Sequence, residues 1–162
     1  SGYLLAICTR YIPDKDIAED ILQDSFIKIF SSIGSFKSKG EGAFKAWISR
    51  ITVNEALMYL RKQKRCNFIE FQDHLPDIPE DTEPDIGNIP AAEIQKMIQS
   101  LSDGYRTIFN LVALEGKSHK EVAELLGITE STSASQFHRA RKILAKKITD
   151  YNKRNDAGTA RK

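Results

Sequence analysis

The chain has little of what catalytic, secreted or membrane proteins usually show. Its 162 residues hold two cysteines, Cys8 and Cys66, far apart and without a CxxC pair. A disulfide framework or a zinc site would need closer or repeated spacing. The three histidines, His74, His119 and His138, are scattered, which leaves no metal cluster and no histidine-centred triad. No apolar run approaches the roughly 18 residues needed to span a bilayer, and no signal-peptide pattern opens the chain. Membrane insertion is therefore not expected, and the sequence reads as cytoplasmic. Glycine-rich phosphate loops and paired-carboxylate sites are also missing; the neighbouring acids Glu19 and Asp20 fall on a helix surface. The chain is expected to be no enzyme, with no metal and no cofactor.

What is present is uneven charge. The formal net charge of +2 is close to neutral, but the charges are segregated. "RKQKR" at 61–65 is basic, whereas 67–92 holds seven acids, no Lys or Arg, and four of the five prolines, at 76, 79, 84 and 90. Proline lacks the amide a helix needs and clashes with the preceding turn. With too few apolar residues for its own core, 67–90 is expected to be an acidic, Pro-rich linker. No strand-period alternation runs beyond a few residues. The expected fold is all-α: a helical domain over 1–66, the linker, a second helical domain over 91–151, and a frayed polar tail over 152–162.

Within the second domain, "SHKEVAELLGITESTSASQFHRARKIL" has the grammar of two helices around a tight turn. Ser118 and Glu121 match the S-x-x-E capping box. Val122, Ala123 and Leu126 share a face, Gly127 suits a left-handed stop, and Thr129 or Ser131 can cap the next helix. That helix repeats Ser133, Phe137, Ala140 and Leu144 at helical spacing and turns basic through Arg139, Arg141, Lys142, Lys146 and Lys147. In a helix-turn-helix the second helix enters the major groove by its first turns. Ser131, Thr132, Ser135, Gln136, His138, Arg139 and Lys142 are the expected DNA contacts, since hydroxyls, amides and guanidinia bond base edges and phosphates. An ordinary helical hairpin with a solvated basic face is the rival reading of the same residues.

In the first domain, "DKDIAEDILQDSFIKIFSSIGSF" is amphipathic. Ile17, Ile21, Leu22, Phe26, Ile29, Phe30 and Ile33 form its expected inner stripe, and Asp20, Gln23, Asp24 and Lys28 its outer face. After the loop "KSKGEG" comes the helix "AFKAWISRITVNEALMYLRKQKR". Trp47, with Phe44 and Ile48, has core spacing. Asn54 is polar among Ile51, Val53, Ala56 and Leu57, which suits either a buried amide or one facing a ligand.

The segment "AEDILQDSF", the glycine-containing loop and "AWISRITVNEALMYLRK" resemble region 2 of the extracytoplasmic-function (ECF) sigma factors of the sigma-70 family. Residues 94–146, through "YRTIFNLVALEG", "SHKEVAELLGI" and "TSASQFHRARKIL", resemble region 4 of the same family. Departures are Ser133, where the family often has valine, and Ala134 and Gln136, where it often has a basic residue. The resemblance implies a specificity subunit that binds core RNA polymerase, directs it to promoters and helps melt the −10 element. It implies that Asp20, Gln23, Asp24 and Lys28 grip the clamp helices of the largest subunit, and that the flap of the second-largest subunit is a further contact. It assigns −10 DNA to Lys39, Gly40, Trp47, Arg50, Asn54, Arg61 and Lys62, with Lys64 and Arg65 beside them, and −35 DNA to the helix-turn-helix residues. Within that assignment, the loop 37–42 and Asn54 match the places where a flipped base is captured, a step that must recover a few kcal/mol of lost stacking. An anti-sigma factor is an implied partner. The opening "SGYLLAICTRYI" begins inside what the family makes a helix of region 2, so a preceding helix is expected to be missing. A stand-alone helix-turn-helix regulator, or a helical adaptor that binds only proteins, is the alternative.

Overall fold

A computed structural model describes residues 2–63 and 83–160. The expected basic residues Lys64 and Arg65, most of the linker, and the last two residues lie outside it. The chain divides into two compact units, residues 1–67 and 68–162. Among the described residues there is no strand, and no helix is long and apolar enough to cross a membrane.

The first unit is a bundle of α1 (Gly2–Tyr11), α2 (Lys15–Ser32) and α3 (Ala43–Lys62), each packed on the other two. Asp14, just after Pro13, starts α2 by accepting the amides of Asp16 and Ile17 at 3.0 and 3.2 Å. This satisfies two amides that have no partner inside the helix. The core gathers Leu4, Ile7, Tyr11 and Ile12 with Ile21, Leu22 and Ile29 of α2 and Val53, Ala56, Leu57 and Leu60 of α3. Cys8 is fully buried among them, and burial pushes its thiol up to about 11; a neutral, enclosed thiol is a packing residue, not a nucleophile.

One expectation about α2 fails. Ile21, Leu22 and Ile29 are buried as expected and Ile17 and Phe26 are half-buried, but Phe30 is 71% and Ile33 48% exposed. The buried set of α2 is Ala18, Ile21, Leu22, Ser25 and Ile29, steps of three and four that hold one stripe. Phe30 stands one residue off that stripe, a rotation of about 100°. Ile33 lies past the end of α2, in a short 3₁₀ turn over Ile33–Ser35. Its apolar character alone suggested burial.

The second unit holds α4 (Ala91–Gln99), α5 (Asp103–Phe109) continued by a wider π turn over Asn110–Leu114, α6 (His119–Leu126) and α7 (Glu130–Ala160). Leu101, Ala140 and Leu144 form one buried cluster, flanked by Met97, Ile98, Tyr105, Phe109 and Ile143; Ile108, Leu111 and Val122 are buried as well. The turn between α4 and α5 is held by a buried arginine. Arg106 donates to the carbonyls of Gln99 and Leu101 at 3.3 and 2.7 Å and pairs with Asp103.

Two features of this unit correct the sequence reading. The expected frayed tail is helical as far as Ala160, so α7 has 31 residues. The end of the expected linker is not loose either. Ile89 is buried, and Asn152, within the supposed tail, donates to the carbonyl of Asp85 at 2.8 Å.

Candidate nucleic-acid and polymerase interfaces

The expected polymerase contacts lie together on α2. Asp20, Gln23, Asp24 and Lys28 are all exposed, and steps of three or four keep them on one side. Ile27, 67% exposed, and Phe30 continue that side toward the helix end, so the polar face runs into an apolar one. Lys28 differs from its three neighbours. Its ammonium is paired with Glu55 of α3, so this lysine ties two helices of its own bundle.

On α3 the expected −10 residues fall on another stripe. Trp47 is half-buried, and Arg50, Asn54 and Arg61 are exposed. Separations of three, four and seven place them within about 80° of arc at 100° per residue, with the exposed Met58 among them. Asn54 is therefore not a buried amide bonded inside the core, which removes one of its two readings. Lys62 closes the helix beside Arg61, and both bring positive charge to the helix C-terminus, where it is favourable. Trp47 does not enter the main core. Its ring lies 5.1 Å from Phe36 and 5.9 Å from Phe44, with Phe36 and Phe44 5.5 Å apart. These three rings flank the loop 37–42, which carries Lys39. Gly40 and Gly42 hold φ of 116° and 79° there, backbone states that side chains with a Cβ rarely adopt. Phe36 and Phe44 were not among the expected site residues; their signal was an aromatic on each side of a glycine loop.

The helix-turn-helix forms as its sequence indicated. Ser118 accepts the Glu121 amide at 3.1 Å, and the Glu121 carboxylate accepts the Ser118 amide at 3.0 Å. Gly127 closes α6 at φ 66°, in the left-handed region. Thr129, not Ser131, caps α7, accepting the Thr132 amide at 3.0 Å.

The face of α7 is narrower than expected. Ser131 and His138 are exposed, and Ser135, Arg139 and Lys142 half-buried; their spacing puts them on one side. Thr132 is half-buried and its hydroxyl is engaged by that of Thr129 at 2.9 Å. Ser135 donates to the Thr132 carbonyl at 3.2 Å. Gln136 is 3% exposed, which removes it from the DNA-facing set. It lies three residues after Ser133 and four before Ala140, both fully buried, so helix geometry turns it inward despite its polarity.

Adjoining that face, Ile86, Ile94, Met97, Ile98, Leu144 and Ile148 line an open cleft of about 440 Å³, which Glu83, His138, Arg141 and Lys142 line as well. Among the described residues, no group of three or more His, Cys, Asp or Glu is arranged to hold a metal ion.

Comparison with known proteins decides the family. Residues 1–66 match the model of sigma-70 region 2, and residues 91–144 that of sigma-70 region 4. The ECF RNA polymerase sigma-E factor of Haemophilus influenzae is 33% identical over 157 residues, covering 88% of this chain and 79% of that protein. The chain is an ECF sigma factor of the sigma-70 family. The RNA polymerase sigma-H factor of Pseudomonas aeruginosa is 28% identical over 156 residues, covering 90% of this chain and 80% of its own length. The Bartonella quintana sigma factor RpoE, crystallised with the anti-sigma factor NepR, superposes with a TM-score of 0.55 at 25% identity, over 90% of this chain and 89% of that one. Sigma factors direct RNA polymerase to promoters, and two sigma regions in this order on one chain do not favour the stand-alone regulator.

Proposed function

We infer that this sigma factor divides its work by helix face. Asp20, Gln23 and Asp24 on α2 engage the clamp helices of the largest polymerase subunit. The loop 37–42 and the α3 stripe Trp47, Arg50, Asn54, Arg61 and Lys62 receive the −10 element. The α7 residues Ser131, Ser135, His138, Arg139 and Lys142 meet the −35 element. The observation that carries this reading is the separation of faces: each set occupies one side of its helix, while the opposite side is buried in its own unit. No step needs a catalytic group of this chain. A base that leaves the stack can be held by a fitted pocket beside aromatic rings and a basic stripe, interactions worth about 1–3 kcal/mol per base. Nucleotide addition belongs to the polymerase.

The apolar cleft of the second unit suits an apolar helix of the polymerase flap, and an anti-sigma factor would compete for one or more of these faces. A bacterial cytoplasmic location follows from the role. Reconstitution tests the reading: core polymerase with this protein should start RNA synthesis at defined promoters, and core polymerase alone should not. Binding to core without promoter choice would leave only a protein adaptor.

A further inference from the structure

We propose that His119 and Ser133 form a polar strut between the two helices of the helix-turn-helix, and that this strut fixes the pose in which α7 meets the upstream promoter element. The inference rests on the reading of α7 as the DNA-facing helix and adds two positioning residues to it, neither of which touches DNA.

Four observations carry it. His119 is the first residue of α6, immediately after the capping Ser118, and its Nδ1 lies 2.8 Å from the Ser133 hydroxyl in the first turns of α7. Ser133 is fully buried, so its hydroxyl is out of reach of bulk water. The partner choice also differs from that of two other buried hydroxyls. Those of Ser25 and Thr52 donate to carbonyls four residues back in their own helices, Ile21 and Ile48. Such bonds hold no second element. Ser133 instead reaches to another helix, 14 residues away in sequence. The imidazole meets α7 a second time: its ring is 5.8 Å from that of Phe137, which itself stacks on Phe109 at 6.0 Å and has the Arg141 guanidinium 5.8 Å away. One side chain thus grips two successive turns of α7, one grip polar and one aromatic.

The consequence is geometric. Apolar contacts such as those of Val122 and Ala123 tolerate small slides, but a hydrogen bond fixes both length and direction. A shift of α7 by one residue means about 1.5 Å and 100°. That would break the strut and turn Ser131, Ser135, His138 and Arg139 away from the bases. Sites that read a ligand need positions held to about 0.5 Å.

The experiment uses the full chain bound to core polymerase and a library of DNA duplexes randomised over the upstream element, with bound sequences counted. Wild type is compared with Ser133→Ala, His119→Phe, the double variant, His119→Asn and His119→Gln, and each is also assayed for thermal stability and for binding to a single non-promoter duplex. The two single variants should lose at least about fivefold in enrichment of the preferred sequence over its one-base neighbours, with non-promoter binding unchanged. The double variant should be no worse than either single, since both remove the same bond. His119→Asn, which can place a polar atom near the Nδ1 position, should recover selection, and His119→Gln should not. Additive losses, equal losses on promoter and non-promoter DNA, or Asn and Gln behaving alike would overturn the strut. A wild type that selects no upstream sequence would instead overturn the DNA-reading role of α7, and the strut with it; a selective wild type with equally selective variants would overturn the strut alone.

Discussion

The two units bury polar groups in different ways. In the first, the buried polar residues among those described include Ser25, Thr52 and Glu55. The two hydroxyls bond within their own helices, and Glu55 is matched by Lys28 at the rim. That pair ties α2 to α3 through a half-exposed lysine, while the core behind it is apolar packing and the other polar residues of interest stand outside. In the second unit Arg106, Thr107, Asn110, Ser133 and Gln136 are all buried. Among them, Arg106 holds the α4–α5 turn, and Ser133 meets His119 of α6. Apolar packing tolerates small displacement, whereas buried directional bonds do not. The first unit is thus the more tolerant one, and the second is the more geometrically fixed.

The largest effect should come from breaking a fixed point. Arg106→Met removes the guanidinium that serves two carbonyls and pairs with Asp103. Breaking a buried pair in this way costs about 3–5 kcal/mol, a large part of a small domain's stability. Hydrogen exchange should show amides of α4 to α7 losing protection while those of α1 to α3 keep theirs. Equal loss in both units would show that they do not fold independently.

The tolerant unit gives the opposite result. Asp20→Ala with Gln23→Ala should leave its melting temperature nearly unchanged, because both side chains are exposed. Core-polymerase binding should weaken by roughly 2–3 kcal/mol if each is a true contact. Titration of labelled core measures it, and undiminished affinity would remove α2 from the clamp assignment.

The same contrast explains what the sequence disclosed. The helix-turn-helix was legible to single residues, because Ser118, Glu121 and Gly127 each answer a local backbone demand that needs no tertiary context. The face of α2 with Asp20, Gln23 and Asp24 was legible because an apolar core lies behind it. Gln136 was misread because polarity was taken for exposure in a unit that buries polar groups; only its steps from Ser133 and to Ala140 gave the right answer. Phe30 and Ile33 were misread for the converse reason, apolarity taken for burial beside a surface with apolar residues in the open. The helical end of α7 was missed because "NKRNDAGTARK" carries no apolar stripe, and its contact with the Asp85 carbonyl through Asn152 links residues 67 apart. The strut between His119 and Ser133 needed the fold itself.

Separating Arg139 from Gln136 sharpens the comparison within one helix. Arg139→Ala should weaken promoter binding by about 1–3 kcal/mol if the residue reads a base, and leave unfolding nearly unaltered. Gln136→Ala should do the reverse, lowering the stability of the second unit with little change in promoter affinity beyond that loss. Urea unfolding and promoter binding on the same samples decide it. A Gln136 variant that loses promoter affinity at full stability would return that residue to the DNA-facing set.

The smallest effect belongs to Asn54. It is exposed on α3, in line with Trp47, Arg50 and Arg61, so nothing in the core depends on its amide. Replacement by alanine should leave the melting temperature unchanged or slightly higher, since alanine is the better helix former. Docking on duplex promoter should also persist, because it rests on α7 and on phosphate contacts that do not read sequence. What should change is opening. A flipped −10 base would lose one hydrogen-bonding partner, worth about 1 kcal/mol, so transcript yield from duplex promoter should fall about fivefold. A template already unpaired over the −10 element does not have to be opened, and there the deficit should shrink. The ratio of transcripts from duplex and unpaired templates, taken for wild type and variant side by side, isolates that step. An equal deficit on both templates would mean that Asn54 holds single-stranded DNA after melting. No deficit on either would leave the α3 stripe as a phosphate track ending at Arg61 and Lys62, with base capture left to the glycine loop and its three rings.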